Sequence, residues 1–488
     1  RLAPGTPVLA TTATANARVT GDVAAQLGPQ TLVLRGPLAR ASLELAVIDG
    51  LSPLERFAWV VEHLPRLPGS GIVYVLTVAD AERLASVLAE VHGDACPVAA
   101  YTGRLEPSER EGREDALRRN ALKALVATSA LGMGYDKPDL GFCVHVGAPP
   151  SPVSYYQQVG RAGRAIDRAP VVLLHAEADA GVWDHFETAA IPDPAEVERL
   201  LAAMPRDRGA AATVPALEAR TGLRRTRVDL MLRQLAVDGV TERLPGGWIA
   251  TGERWVFPRA HYEEVVAVRR REAAIMREYA HGRRCLMQLL QEALDDPTAA
   301  PCARCSVCRG ALPDGLAARP APGTVRAVAA VLRRSSQALE PRRMWPGGTF
   351  GSRARIPPAR QASTGRVLAY ADAPEWRDAI AAASAPAAPA PGEMVAGCVD
   401  LLRAWSRSWT ARPQVVIGLP AAGRRRLVDE VVAAVAAAGR LPAGAIAVAA
   451  PAPAGLSSAE EAVHWRGALT LPDPDGVPVV GRVVLLVV

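Results

Sequence analysis

Three sets of residues carry chemistry by type and spacing. The first lies in VATSALGMGYDKPDLGFCVHVGAPPSPVSYYQQVGRAGR, residues 126–164. A strand (125–128) runs into a glycine-rich turn (Gly132, Gly134), an acidic–basic pair (Asp136, Lys137) and a second apolar strand (142–146). The helix that follows is predicted to present Gln157, Arg161 and Arg164 on one face, because they stand four and three residues apart. Gly160 and Gly163 between them let another backbone come close. Arginine stays charged, and its forked donors match phosphate oxygens, so this face suits a triphosphate held between two lobes. A solvated basic helix is the plainer alternative for RAGR alone. The strand–turn segment ahead of it, in fixed order, argues against that alternative.

The second set is Cys285, sixteen further residues, then Cys302-x-x-Cys305-x-x-Cys308. Four thiolates suit tetrahedral Zn2+ at about 2.3 Å, and with every position filled by protein the ion would be structural. An iron–sulfur cluster is the competitor. Cys285 is expected on a helix, tying down the tight loop that holds the other three. The third set is basic: Arg220, Arg224, Arg225, Arg227 and Arg233, in a stretch reading helix, turn, helix, hairpin over 213–251. That order is the winged-helix plan, which meets duplex DNA through its second helix or its wing. A spacer or protein contact is the alternative use.

The elements that must position these residues follow from pattern. Residues 7–16 read as a buried strand ending in Thr12-Ala13-Thr14, and 18–27 as a helix. Apolar strands at 71–76, 98–101, 124–128, 142–146 and 171–174 alternate with amphipathic helices at 80–92 and 107–119. That alternation means a parallel sheet with helices on both faces. Thr77 is placed to cap its helix. Residues 188–205 and 258–294 read as helices. An Ala/Pro/Arg-rich stretch (311–391) holds an island at 339–348 in which basic residues flank Trp345; single-stranded DNA binding or interdomain docking would both fit. From 394 an α/β pattern returns, with strands at 415–418, 446–448 and 483–488.

These motifs resemble superfamily 2 helicases, and specifically the RecQ family. ATSALGMGYDKPD is similar to motif V, YYQQVGRAGR to motif VI, Thr12-Ala13-Thr14 to motif III and GIVYVLT to motif IV. The cysteine spacing resembles the family's zinc subdomain. Three departures stand out. Ala165-Ile166 replace Asp-Gly, Tyr101-Thr102-Gly103-Arg104-Leu105 stands where Tyr-His-Ala-Gly-Leu is usual, and the zinc segment follows the winged-helix stretch instead of preceding it. The resemblance implies an ATP-dependent DNA helicase of repair and recombination. Arg161 and Arg164 would reach the β and γ phosphates, with Gln157 orienting the site. Gly134 and Asp136 would line the nucleotide side, and Thr14 and Thr128 the DNA side. Arg224, Arg225 and Arg227 would hold duplex DNA, with ATP, Mg2+ and Zn2+ as cofactors. The C-terminal α/β stretch is similar to type I phosphoribosyltransferases; a generic α/β core is the alternative.

The expected architecture is the end of a first RecA-like lobe (1–30), a second RecA-like lobe (31–187), a winged helix (188–256), a zinc-binding helical subdomain (257–312), a linker or docking region (313–392) and a partial phosphoribosyltransferase-like domain (393–488). No G-x-x-x-x-G-K-[ST] phosphate loop occurs in the 488 residues. The chain opens without Met and both ends look cut, so a fragment is expected, inactive alone. The formal charge is +6, with 56 Lys+Arg, consistent with a polyanion partner. No apolar run reaches the ~18 residues of a membrane span. Seven cysteines, four of them clustered, favour metal over disulfides and a reducing bacterial cytoplasm. A monomer is expected. Two rivals remain: a DNA-binding regulatory protein without a motor, and a nucleotide-metabolism phosphoribosyltransferase.

Overall fold

The computed structural model describes residues 7–488 except 13, 15, 29, 132–133, 178, 180, 182, 184–190, 347–354, 410, 420–422, 454–455, 457, 471–476, 478 and 480. Gly132, Ala13 and the end of the Trp345 island therefore lie outside the described residues, as does the start of the helix expected from 188. The chain forms two compact units, residues 1–189 with 259–332, and 190–258 with 333–488.

The first unit is built on six strands: β1 (Leu43–Ile48), β2 (Gly71–Val75), β3 (Val98–Tyr101), β4 (Ala124–Ala127), β5 (Phe142–Val146) and β6 (Ala169–Leu174). They pair in the order β1-β6-β5-β2-β4-β3, and every pairing is parallel. Strands β2, β4, β5 and β6 are buried throughout, which is why they read as unbroken apolar runs and not as alternation. Two apolar clusters cover the sheet's faces. Helix starts are fixed locally. Ser52 and Glu55 form a capping box ahead of α2 (Pro53–His63), and Thr77 caps the helix Val78–His92 by accepting from the Asp80 amide at 3.0 Å.

Three expectations need correction. Residues 7–12 are exposed and form no strand; one edge strand of the sheet is β1, LELAVI, which the sequence reading passed over. The single helix expected over 258–294 is two, Arg259–His281 and Leu286–Ala293, broken where Gly282 takes φ +60. Cys285 thus sits just ahead of a helix and not on one. Nor is the cysteine segment separate: Met276, Tyr279, Leu286, Leu289 and Leu290 share one core with Leu43, Leu45, Tyr155 and Val159. Residues 312–332, at the start of the stretch expected to be a linker or docking region, are docked. Leu312, Leu316 and Val325 pack on the other face of the sheet, and the Trp59 indole N–H donates to the Ala317 carbonyl at 2.7 Å.

The second unit holds helices Pro194–Ala203, Val214–Thr221 and Arg225–Val237, then a hairpin of Thr241–Leu244 against Gly247–Ala250, around Leu200, Leu217, Val228, Leu232, Leu235 and Trp248. Farther along, helix Gly392–Trp405 precedes a three-stranded parallel sheet. Its central strand is Val415–Gly418, flanked by Ala443–Ala445 and Val484–Val487, with helix Arg425–Gly439 packed on it.

Candidate nucleotide and nucleic-acid site

The second half of motif V and the end of motif VI meet where the strands of the six-stranded sheet start. After β4 the chain turns back to begin β5, so Asp136 to Leu140 lie at the edge where the strands start. There the Leu140 and Pro138 carbonyls accept from the Gly163 and Ala165 amides at 3.0 and 2.8 Å. Gly163 has φ +68, and a Cβ on it would stand 2.6 Å from the Ser42 hydroxyl, which itself donates to the Gly163 carbonyl at 2.6 Å. Only glycine fits this turn.

The helix α5 (Pro152–Val159) ends before Arg161, so the shared helical face predicted for Gln157, Arg161 and Arg164 does not form. Past Val159 the chain leaves the helix, and the three side chains part. Gln157 is exposed, and its amide donates to the Thr14 hydroxyl at 2.8 Å. Arg161 is 8% exposed and turns inward, donating to the Tyr135 carbonyl at 2.8 Å. Burial pushes the Tyr74 phenol up, and the positive charge of Arg161 works the other way. Arg161 therefore ties the motif VI loop to the motif V turn. Arg164 is exposed and pairs with Asp136 at 2.8 Å. So Asp136 belongs with Arg164, while Lys137, expected beside it in sequence, is buried and pairs with Asp139 at 2.7 Å. An ion pair with both partners this open is worth about 0–1 kcal/mol, so Arg164 is cheaply released toward a ligand. Gly134 is exposed with φ +104 and open space around its Cβ position, so its backbone angle, not crowding, calls for glycine.

Thr128 is elsewhere. It follows the end of β4, its amide donating to the Tyr101 carbonyl at 3.1 Å, and is thus at the opposite edge from Asp136. Thr14, grouped with Thr128 in the sequence reading, meets Gln157 instead, because the segment that carries it runs to α5. One clamp was missed: Arg40 donates to the Gly160 carbonyl at 2.7 Å and the Ala162 carbonyl at 3.1 Å, holding the motif VI loop from 120 residues away. Its flanking sequence carries no local signal. Beneath the loop, His145 of β5 stacks on Tyr74, with centroids 5.0 Å apart, and meets the Gln158 side-chain oxygen at 2.9 Å. Burial holds its imidazole down to about 4.

The four cysteines converge as their spacing predicts. The sulfurs of Cys285, Cys302, Cys305 and Cys308 all lie within 4.8 Å of one another, with no disulfide. Ligands about 2.3 Å from a tetrahedral ion stand about 3.8 Å apart, so the set fits zinc. Backbone N–H groups point at the sulfurs: Cys302 to Cys285 at 3.2 Å and Cys305 to Cys302 at 3.3 Å. Such donors favour thiolates.

On the basic module, Arg224 and Arg225 are exposed at the start of the second helix. Arg227 is not presented with them. It is half-buried, paired with Glu196 at 2.7 Å and donating to the Ile191 carbonyl at 2.8 Å. No helix among the described residues is long and apolar enough to cross a membrane.

Residues 55–166 match the family "Helicase conserved C-terminal domain". Over 183 residues the chain is 34% identical to the ATP-dependent DNA helicase RecQ of Pasteurella multocida, covering 37% of this chain and 28% of that one. The RecQ helicase of Haemophilus influenzae is 32% identical over 177 residues, 36% of this chain and 28% of that one. The ATP-dependent DNA helicase Q-like 4B of Arabidopsis thaliana is 33% identical over 181 residues, 36% and 15%. The chain thus spans under a third of the length of these relatives. The six-stranded parallel sheet, with the end that carries Asp136 and Arg164, thus holds a helicase C-terminal domain over residues 55–166, and over this part the chain is similar to RecQ helicases.

Proposed function

We propose that this chain supplies the second motor lobe of an ATP-dependent DNA helicase acting in repair or recombination. The observation that carries the proposal is the Arg164–Asp136 pair at 2.8 Å, an exposed and weakly held arginine on the motif VI loop beside a motif V carboxylate. ATP would bind between this edge and a first lobe bearing a phosphate loop. Arg164 would stabilise charge on the transferring phosphoryl group. Arg161 would position the motif V turn through the Tyr135 carbonyl, and Gly134 and Asp136 would line the nucleotide side. Gln157, bonded to Thr14, would tie the first-lobe connection to α5. Thr128, at the opposite edge, would face DNA. Mg2+, held chiefly by the first lobe, neutralises phosphate charge when bound.

Zn2+ would be held by Cys285, Cys302, Cys305 and Cys308, stiffening helices that share the lobe's core. The helix–helix–hairpin module would act as a winged helix, with Arg224 and Arg225 on duplex phosphates. The C-terminal sheet supports a phosphoribosyltransferase-like fold, without a claim to that activity. Unpaired thiols support a reducing cytoplasm, and a monomer acting on single strands and junctions completes the proposal. A DNA-binding regulator without motor activity is the second reading, favoured by the exposed Arg224 and Arg225 of the basic module. The test is ATP hydrolysis by the chain joined to a first lobe that carries such a loop. DNA-stimulated turnover supports the motor; robust hydrolysis by the 488-residue chain alone overturns this placement of the nucleotide site.

A further inference from the structure

Residues 401–428, LLRAWSRSWTARPQVVIGLPAAGRRRLV, contain six arginines, two tryptophans and no Asp or Glu. Helix Gly392–Trp405 ends there in a short 3-10 turn, Ser406–Ser408. The Ser406 hydroxyl donates to the Arg403 carbonyl at 2.8 Å and the Ser408 hydroxyl to the Trp405 carbonyl at 2.9 Å. This bonded turn brings Trp409 back to Trp405, edge to face, with ring centroids 5.8 Å apart at 76°. Across the rings, the Arg366 guanidinium stands 6.0 Å from the Trp405 centroid.

These indoles differ from the chain's core tryptophans. Trp59, Trp183 and Trp376 are at most 2% exposed, whereas Trp405 and Trp409 are each half-open and belong to neither apolar cluster of the C-terminal part. Arg403 is offset by Asp400 at 3.0 Å. Arg407 and Arg412 are exposed and make no ion pair among the described residues. Two fixed, half-open aromatic rings flanked by unpaired cations match a polyanion that also carries flat bases. Bases stack on indoles, and arginines follow the phosphates. An acidic protein segment would use the cations and leave the rings idle.

We propose that Trp405 and Trp409, with Arg366, Arg407 and Arg412, form a stacking platform for single-stranded DNA on the second unit. Single-stranded DNA is chosen over RNA because the proposal rests on the DNA-helicase reading, in which an unwound strand is the product at hand.

The test is fluorescence anisotropy of the 488-residue chain with labelled (dT)20, an abasic 20-mer and (rU)20, all without nucleotide. The parent should bind (dT)20 at least about fivefold tighter than the abasic strand, since stacking is lost while phosphates remain. Trp405→Leu with Trp409→Leu should erase that difference. Arg407→Gln with Arg412→Gln, which leaves the packed rings untouched, should weaken both strands alike and reduce the salt slope by about 1–2. A tryptophan variant that binds (dT)20 like the parent, or an arginine variant with the parent's salt slope, overturns the platform. A parent that prefers (rU)20 overturns the choice of DNA. The turnover test of the motor does not involve these residues, so either proposal can fail alone.

Discussion

Acid should loosen the lobe through one histidine. His145 lies within β5, stacked on Tyr74, and its neutral ring donates from Nε2 to the Gln158 side-chain oxygen at 2.9 Å. Burial holds its pKa down to about 4, against 6.5 for an ordinary imidazole. The unfolded chain therefore takes up its proton first as pH falls. The stability due to a neutral His145 is complete above about 6.5 and is lost progressively as pH drops through 4. At 1.36 kcal/mol per pH unit the whole effect is about 3 kcal/mol, of which about 2 is gone by pH 5. The carboxylates held below their usual range, Asp49, Glu55 and Glu62, act at lower pH. His63, also held down by burial, acts with the same sign, so comparison with a variant isolates His145. Urea unfolding of the first unit, followed by hydrogen exchange of β5 and β2 between pH 7.5 and 4.5, gives the slope. His145→Phe should be less stable than the parent at pH 7.5 and close much of that gap by pH 5. An unchanged gap across the range would refute the placement of a buried neutral imidazole.

Other outcomes follow from the same geometry. Purified protein should carry one zinc per chain, and Cys302→Ser should release it and destabilise the helices that share the lobe's core; iron with visible absorbance, or a well-folded metal-free protein, contradicts this. Arg224→Gln with Arg225→Gln should weaken duplex DNA binding and flatten its salt dependence, while Arg227→Gln should instead lower the melting temperature, because it breaks the tie to Glu196. If Arg227→Gln alone flattens the salt slope at unchanged stability, the roles are reversed. Gly163→Ala should cost about 1–3 kcal/mol, since φ +68 and the Ser42 hydroxyl both resist a Cβ; calorimetry reads it, and a neutral result means the turn can relax.

Much of the lobe was legible because a buried parallel sheet writes itself as short apolar runs: GIVYV, ALVA, FCVHV and APVVLL became β2, β4, β5 and β6. The edge strand LELAVI was not read, since a short apolar run interrupted by Glu44, between two Arg- and Pro-bearing stretches, is a weaker signal. Ser52 and Glu55 did announce α2 through a capping box, which the sequence reading passed over. The cysteine cluster was legible as a metal set because ligand spacing is local. Its place in the lobe's core was not, since the contact that joins it there, Tyr279 against Tyr155 with ring centroids 4.9 Å apart, is long-range. Motif VI misled in one respect. Residues spaced four and three apart imply a shared face only while the helix lasts, and it ends at Val159. The same limit hid Arg40, Thr14 and the Arg164–Asp136 pair, whose partners lie far apart in sequence.

The most direct measurement is the turnover of Arg164→Ala in a protein that joins this chain to a first lobe with a phosphate loop. Arg164 is the exposed arginine of the motif VI loop, held by Asp136 and the Gly160 carbonyl, and is proposed to act in the transition state of phosphoryl transfer. Its loss should lower DNA-stimulated ATP turnover by roughly 10³-fold or more, the scale of a missing arginine finger. ATP affinity should change far less, because the interaction strengthens mainly in the transition state. Turnover within a few-fold of the parent would contradict the assignment and leave Arg164 as a structural partner of Asp136.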